Sequence, residues 1–207
     1  MLKGCDISKW QGAQFDVSNE EFVIIKATEG RTYVDPMLKT HLAKCLEQNK
    51  IYGFYHFARP DNGNTPEEEV DNFLTTIGEH IGKCFFALDY EAKAHNTGQD
   101  WALEWLRLVE EKTGVKPFFY TSQSFLKKYN KVAEAGYPLW VARYSTSVGN
   151  IAPFTKWKIW QKTSSPYDQD YFSGTTAELK SFCGISEAKE KCECSVCRAL
   201  REAGVIE

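Results

Sequence analysis

The stretch Phe85 to Lys93, FFALDYEAK, sets Asp89 and Glu91 two residues apart at the end of an apolar run. The run reads as a strand covered on both faces, as strands of a parallel sheet are. Side chains alternate along a strand, so Asp89 and Glu91 share a face with Phe85 and Ala87. Leu88 and Tyr90 point the other way, toward covering helices. Successive α-carbons on one face lie about 6.8 Å apart. Acids so placed are costly inside a sheet but suited to the mouth of a barrel, where the carboxyl ends of the strands carry active sites. Like charges at that range resist simultaneous ionisation. One acid then keeps its proton near neutral pH while the other stays charged, the pairing that glycoside cleavage requires. A bare D-x-E is more often two surface acids just beyond a strand end.

Other acids shift that balance. Working outward from FFALDYE, the candidate strands are GCDIS, FVIIKAT, IYGFYHFA, PFFYTS, PLWVARY, WKIWQKT and DQDYF. Asp6 ends the first and Glu29 follows the second, while Asp168 and Asp170 open the last. Helical patterns separate most of these runs. TPEEEVDNFLTTIGEH opens with a Thr cap, Pro and three acids. TGQDWALEWLRLVEEKTG spaces Trp101, Trp105, Leu108 and Val109 along one stripe and stops at Gly114. DPMLKTHLAKCLEQN, SQSFLKKYNKV and TAELKSF are further helical segments. Strand–helix alternation predicts an α/β fold with a parallel sheet. Eight strands with short late connections predict an irregular (β/α) TIM-like barrel, with an open doubly wound sheet as the rival.

The chain of 207 residues is long enough for one large domain, and its formal net charge of −3 argues against bulk binding to nucleic acid or an anionic membrane. No apolar run approaches spanning length, so no membrane insertion is expected. The start, MLKGCDISKWQ, lacks the apolar core of a signal peptide. The aromatic share of 14% suits a carbohydrate-handling protein and a filled core alike. His41, His56, His80 and His95 form no local metal motif, and no phosphate-binding glycine loop or G-x-S-x-G occurs. No metal or other cofactor is therefore expected.

The motifs GCDISKWQG, FVIIKATEGRTYVDP, GFYHFARP, FFALDYE, FFYTS, LWVARY, WKIWQ and YDQDYFSG occur in the order seen in glycoside hydrolase family 25. The chain resembles these Chalaropsis-type lysozymes, or N-acetylmuramidases, common among phage endolysins, over roughly residues 3–182. The resemblance implies an irregular barrel that hydrolyses the β-1,4 bond from N-acetylmuramic acid to N-acetylglucosamine in bacterial peptidoglycan. By position it implies Glu91 as general acid, Asp89 as its partner carboxylate, and Asp6 and Asp168 as further acids of the site. In the segment that holds Asp168, Asp170 replaces the usual Asn; of the two, Asp168 is expected to enter the pocket. Glu29, Tyr33, His56, Tyr120, Trp140, Tyr144 and Trp160 are expected to line the substrate groove, with Trp140 and Tyr144 sharing a face. An endolysin without a signal peptide would stay in the host cytoplasm until release and act at the cell wall. The alternatives are a wall-binding barrel without turnover and a hydrolase of another N-acetylated glycan.

Residues 183–207, CGISEAKEKCECSVCRALREAGVIE, differ in composition and read as a cysteine-rich helical tail or linker after a 1–182 catalytic domain. Of seven cysteines, Cys183, Cys192, Cys194 and Cys197 cluster there, and the scattered Cys5, Cys45 and Cys84 are expected to be reduced. On one helix Cys192 and Cys194 would lie about 200° apart. Free thiols on a linker are favoured over a disulfide, self-association through the tail, or zinc.

Overall fold

The structure, a computed structural model, describes residues 1–184. Its chain runs β1 (Leu2–Ile7), β2 (Phe22–Glu29), β3 (Tyr33–Val34), α1 (Leu38–Glu47), β4 (Ile51–Phe57) and α2 (Pro66–Ile77). It continues with β5 (Phe85–Asp89), α3 (Gln99–Thr113), β6 (Phe118–Ser122), α4 (Asn130–Glu134), β7 (Leu139–Ala142), β8 (Ile159–Thr163), β9 (Gln169–Phe172) and α5 (Thr176–Ser181). The sheet order is β1-β9-β8-β7-β6-β5-β4-β2-β3, and a further β1–β2 pairing closes it. The fold is a closed irregular α/β barrel, with β3 a short antiparallel extension of β2 outside the closed ring.

The expected parallel sheet holds through β8 and fails at β9, which is antiparallel to both β8 and β1. Only residues 164–168 join β8 to β9. A parallel crossover needs a dozen residues or more, so the chain must turn back. The β7-to-β8 connection likewise has no α-helix.

Local sequence sets the helix ends. Thr65 accepts from the Glu68 amide while Glu68 accepts from the Thr65 amide, with Pro66 opening α2. Thr175 and Glu178 repeat this reciprocal cap on α5. Gly114 ends α3 at φ 72, left-handed backbone that suits glycine. Trp105 and Val109 of the α3 stripe are fully buried against the barrel.

Inside the barrel, aromatic rings occupy space that glycines leave open. A Cβ at Gly4 would meet the Phe22 ring at 2.5 Å, and one at Gly53 would meet the Phe85 ring at 2.3 Å. Burying each ring contributes roughly 2–3 kcal/mol, and an alanine at either glycine would displace its ring. At the amino ends of the parallel strands Phe182 closes the barrel, 4.8 Å from Phe118 and 6.2 Å from Phe172 between ring centroids. Cys183, grouped by composition with the tail, is buried in this cluster. Cys192, Cys194 and Cys197, with the tail's expected helix, metal and self-association, lie outside the described residues.

Candidate active site

Alternation carries one face of every barrel strand from an apolar floor to a polar mouth. Phe85 and Ala87 of β5 belong to the interior cluster, and Leu88 and Tyr90 to the outer one. The ladder ends at Asp89, but the Tyr90 amide still donates to the Tyr120 carbonyl at 3.0 Å. Glu91 remains extended at φ −142, ψ −171. Asp89 and Glu91 therefore open on the same side. They meet Asp6, Lys26, Tyr55, Tyr120, Trp140, Tyr144, Gln161 and Asp168 around a trough of about 320 Å³. Asp6 comes from β1. Asp168 precedes β9, whose reversed direction brings its start, rather than its end, to the mouth.

The trough raises the proton affinity of its acids. Asp89, Glu91, Asp6 and Asp168 are all pushed above the ordinary carboxylate range, in each case chiefly by burial. Glu91 adds repulsion at Asp89, and Asp168 adds it at Glu91. Lys26 opposes the shift at both. Asp89 Oδ1 is sealed from solvent with no hydrogen-bond partner, an acceptor ready for a donor.

Gln161 organises the floor. Its amide donates to Asp6 Oδ2 at 2.6 Å, and its carbonyl accepts from the Tyr120 and Tyr144 hydroxyls at 2.9 and 3.1 Å. Beneath it Asp170 is fully buried and accepts from Trp140 Nε1 at 2.8 Å. Burial pushes the Asp170 carboxyl up to about 7, against the stabilising hydrogen bonds from Asp6 and Trp140. Asp6 and Asp170 are therefore two buried acids with raised proton affinity, and Asp170 raises that of Asp6 further. Asp168 faces the trough and Asp170 supports it from below.

The proposed lining residues divide. Tyr120, Trp140 and Tyr144 line the trough, and the last two share a face. Glu29 and Tyr33 line an adjoining groove. His56 and Trp160 reach neither. His56 faces outward, between Thr28 Oγ1 and Glu69 Oε2 at 2.7 Å each, stacked on Trp105. Trp160 packs in the outer layer and donates Nε1–H to the Arg143 carbonyl. Their inward neighbours are Tyr55 and Gln161, and strand parity dictates the exchange. Lys26 and Trp10 were not anticipated. Lys26 lies at an irregularity of β2, where Ala27 is the extra residue between the Lys26–Tyr55 and Thr28–His56 pairs. That bulge turns Thr28 outward and sets Glu29 within 2.8 Å of Lys26. Trp10 is 81% exposed at the trough rim, and the motif SKWQ held its only signal. Among the described residues, no group of three His, Cys, Asp or Glu side chains is placed to hold a metal.

A closed α/β barrel with clustered acids and aromatic rings at its mouth is the architecture of a glycoside hydrolase. The chain belongs to glycosyl hydrolases family 25, whose model matches residues 5–171. It is similar to the structure of a muramidase from Trichobolus zukalii, with 32% identity, a TM-score of 0.76, and coverage of 89% of this chain and 99% of that one. It is 31% identical over 156 residues to an autolytic lysozyme of Clostridium acetobutylicum, covering 72% of this chain and 47% of that protein. It is 28% identical over 208 residues to the uncharacterized protein YegX of Escherichia coli strain K12, covering 90% and 75%.

Proposed function

We propose that the chain hydrolyses the β-1,4 bond from N-acetylmuramic acid to N-acetylglucosamine in bacterial peptidoglycan, acting at the cell wall. The observation that carries this reading is the convergence of Asp89 and Glu91 in an open trough walled by tyrosine and tryptophan. Glu91 is half-buried at the mouth with raised proton affinity. Burial and the nearby Asp168 favour its protonated form, and it delivers that proton to the glycosidic oxygen. Asp89 lies one layer deeper. Lys26 opposes the upward push of burial on it, and its carboxylate accepts the N–H of the sugar's 2-acetamido group or faces the positive charge developing on the ring. Asp6 and Asp168 tune this pair and bind hydroxyls. Tyr144, exposed at the rim, stacks against C–H faces of the sugars, over a base formed by the buried Tyr120 and Trp140. Before release the enzyme would reside in the cytoplasm of its host.

Glu91→Gln should lower turnover at least a thousandfold with an unchanged circular dichroism spectrum and Tm. Wild-type digestion of peptidoglycan should generate new reducing ends of N-acetylmuramic acid by mass spectrometry. Reducing ends of N-acetylglucosamine, or a fully active Glu91→Gln variant, would defeat the assignment.

A further inference from the structure

Beside the trough lies a second groove of about 370 Å³, lined by Lys9, Glu29, Arg31, Tyr33, Arg59 and Asn62 among others. Its charges are nearly all matched. Glu29 sits between Lys26 at 2.8 Å and Arg59 at 2.7 Å, Arg59 also holds Asp61 at 3.1 Å, and Arg31 reaches Glu68 at 3.4 Å. Lys9 is the exception, with no carboxylate partner among the described residues. Its ammonium rests 4.9 Å from the Trp10 ring centroid and 5.5 Å from that of Tyr33. Lys26, which lines the trough, approaches the same Tyr33 ring at 5.7 Å, so the two hollows adjoin here. The indole of Trp10, at the trough rim, is 81% exposed even with the Lys9 ammonium over its ring.

We propose that Trp10 and Lys9 form a subsite for the muramoyl residue and its peptide. The indole carries the sugar face, and the Lys9 ammonium receives a carboxylate of the stem peptide lying in the groove. This rests on the peptidoglycan reading of the trough and adds to it a source of selectivity. A sugar on Trp10 has its substituents beside Lys9, the adjacent residue. The cation is already lifted onto aromatic faces, and no internal anion must be displaced when a carboxylate arrives. A neutral N-acetylglucosamine polymer has no group for this position, so the subsite favours peptide-bearing strands.

The test compares the full chain with its Lys9→Met variant, which keeps an unbranched stem at an exposed position. Three substrates are used: soluble glycan strands bearing stem peptides, the same strands after amidase removal of the peptides, and stripped strands with the lactyl carboxylate capped as a methylamide. Lys9→Met should raise KM five- to twentyfold on the peptide-bearing strands, with kcat within twofold. On both stripped substrates KM should change less than twofold, and Lys9→Arg should restore most of the loss. An unchanged KM on peptide-bearing strands overturns the proposal. An equal loss on stripped strands also overturns it, since Lys9 would then read the lactyl group. Calorimetric binding of peptide-bearing strands to Glu91→Gln, with and without Lys9→Met, reads the same ratio without turnover. Failure of the wild type to release muramic ends therefore sinks the reaction assigned to the trough, while loss of the Lys9 effect sinks the subsite alone.

Discussion

Asp170 is fully buried, with an indole N–H on one carboxyl oxygen, and burial raises its proton affinity and that of Asp6. The folded pair binds protons more tightly than free carboxylates do, so folding is favoured where the unfolded acids are also protonated. That advantage is lost as pH rises from about 4 toward and through the folded value. Asp170→Asn keeps an acceptor for Trp140 and gives Asp6 an amide donor, while removing one titrating group. It should match the wild-type Tm near pH 4 and exceed it at pH 8 by the equivalent of about 1–3 kcal/mol. Calorimetric scans across pH check this, and a lower Tm at pH 8 would contradict the raised proton affinity of Asp170. The residue scale also shows why the site was only partly legible. Asp6, Asp89, Glu91 and Asp168 stand out because each interrupts or borders an apolar run. His56 and Trp160 suit a sugar groove by their chemistry, but the inward-facing positions of Gly53 and Ile159 set a parity that turns both outward. Gln161 and Tyr55 belong to residue types too common to mark a site by themselves.

Among the elements, α2 does more than cover the barrel. Its Glu69 is fully buried and accepts from His56 Nε2 at 2.7 Å, from Asn64 at 2.8 Å and from the Arg59 amide at 3.1 Å. Burial keeps the His56 proton affinity low, against the pull of Glu69, so a neutral ring donating from Nε2 and accepting from Thr28 fits all its partners. The clamp fixes the turn after β4 that carries Arg59, and Arg59 in turn holds Glu29. Glu69→Ala would strand three donors and should destabilise the fold by about 3–5 kcal/mol. Urea unfolding measures this, and a loss below about 1 kcal/mol would show that the donors find other partners. The helix itself was plain from its Thr-Pro-Glu opening. The bulge at Ala27 was not, because no glycine or proline marks it and its existence follows from pairing with β4.

For the whole molecule, all eight barrel strands could be read from their apolar runs, while the reversal of β9 depended on a connection length whose consequence is topological. The barrel divides its tasks by height. The mouth gathers acids that oppose one another, and the floor packs Phe118, Phe172 and Phe182, with the Lys158 ammonium 5.9 Å from the centroids of the last two rings. Phe182→Ala should therefore lower stability by about 2–3 kcal/mol yet leave kcat on peptidoglycan strands within twofold. Paired urea and turnover measurements check this, and a tenfold fall in kcat would show that floor and mouth are coupled.

The reversal of β9 has a practical outcome. Because Leu2 pairs with Phe172 and shares a cluster with Cys183, β1 begins on the side away from the acids. A bead, a display scaffold or a fused partner attached ahead of Leu2 would leave the cleft turned toward the medium, free to grip an insoluble sacculus far larger than the enzyme.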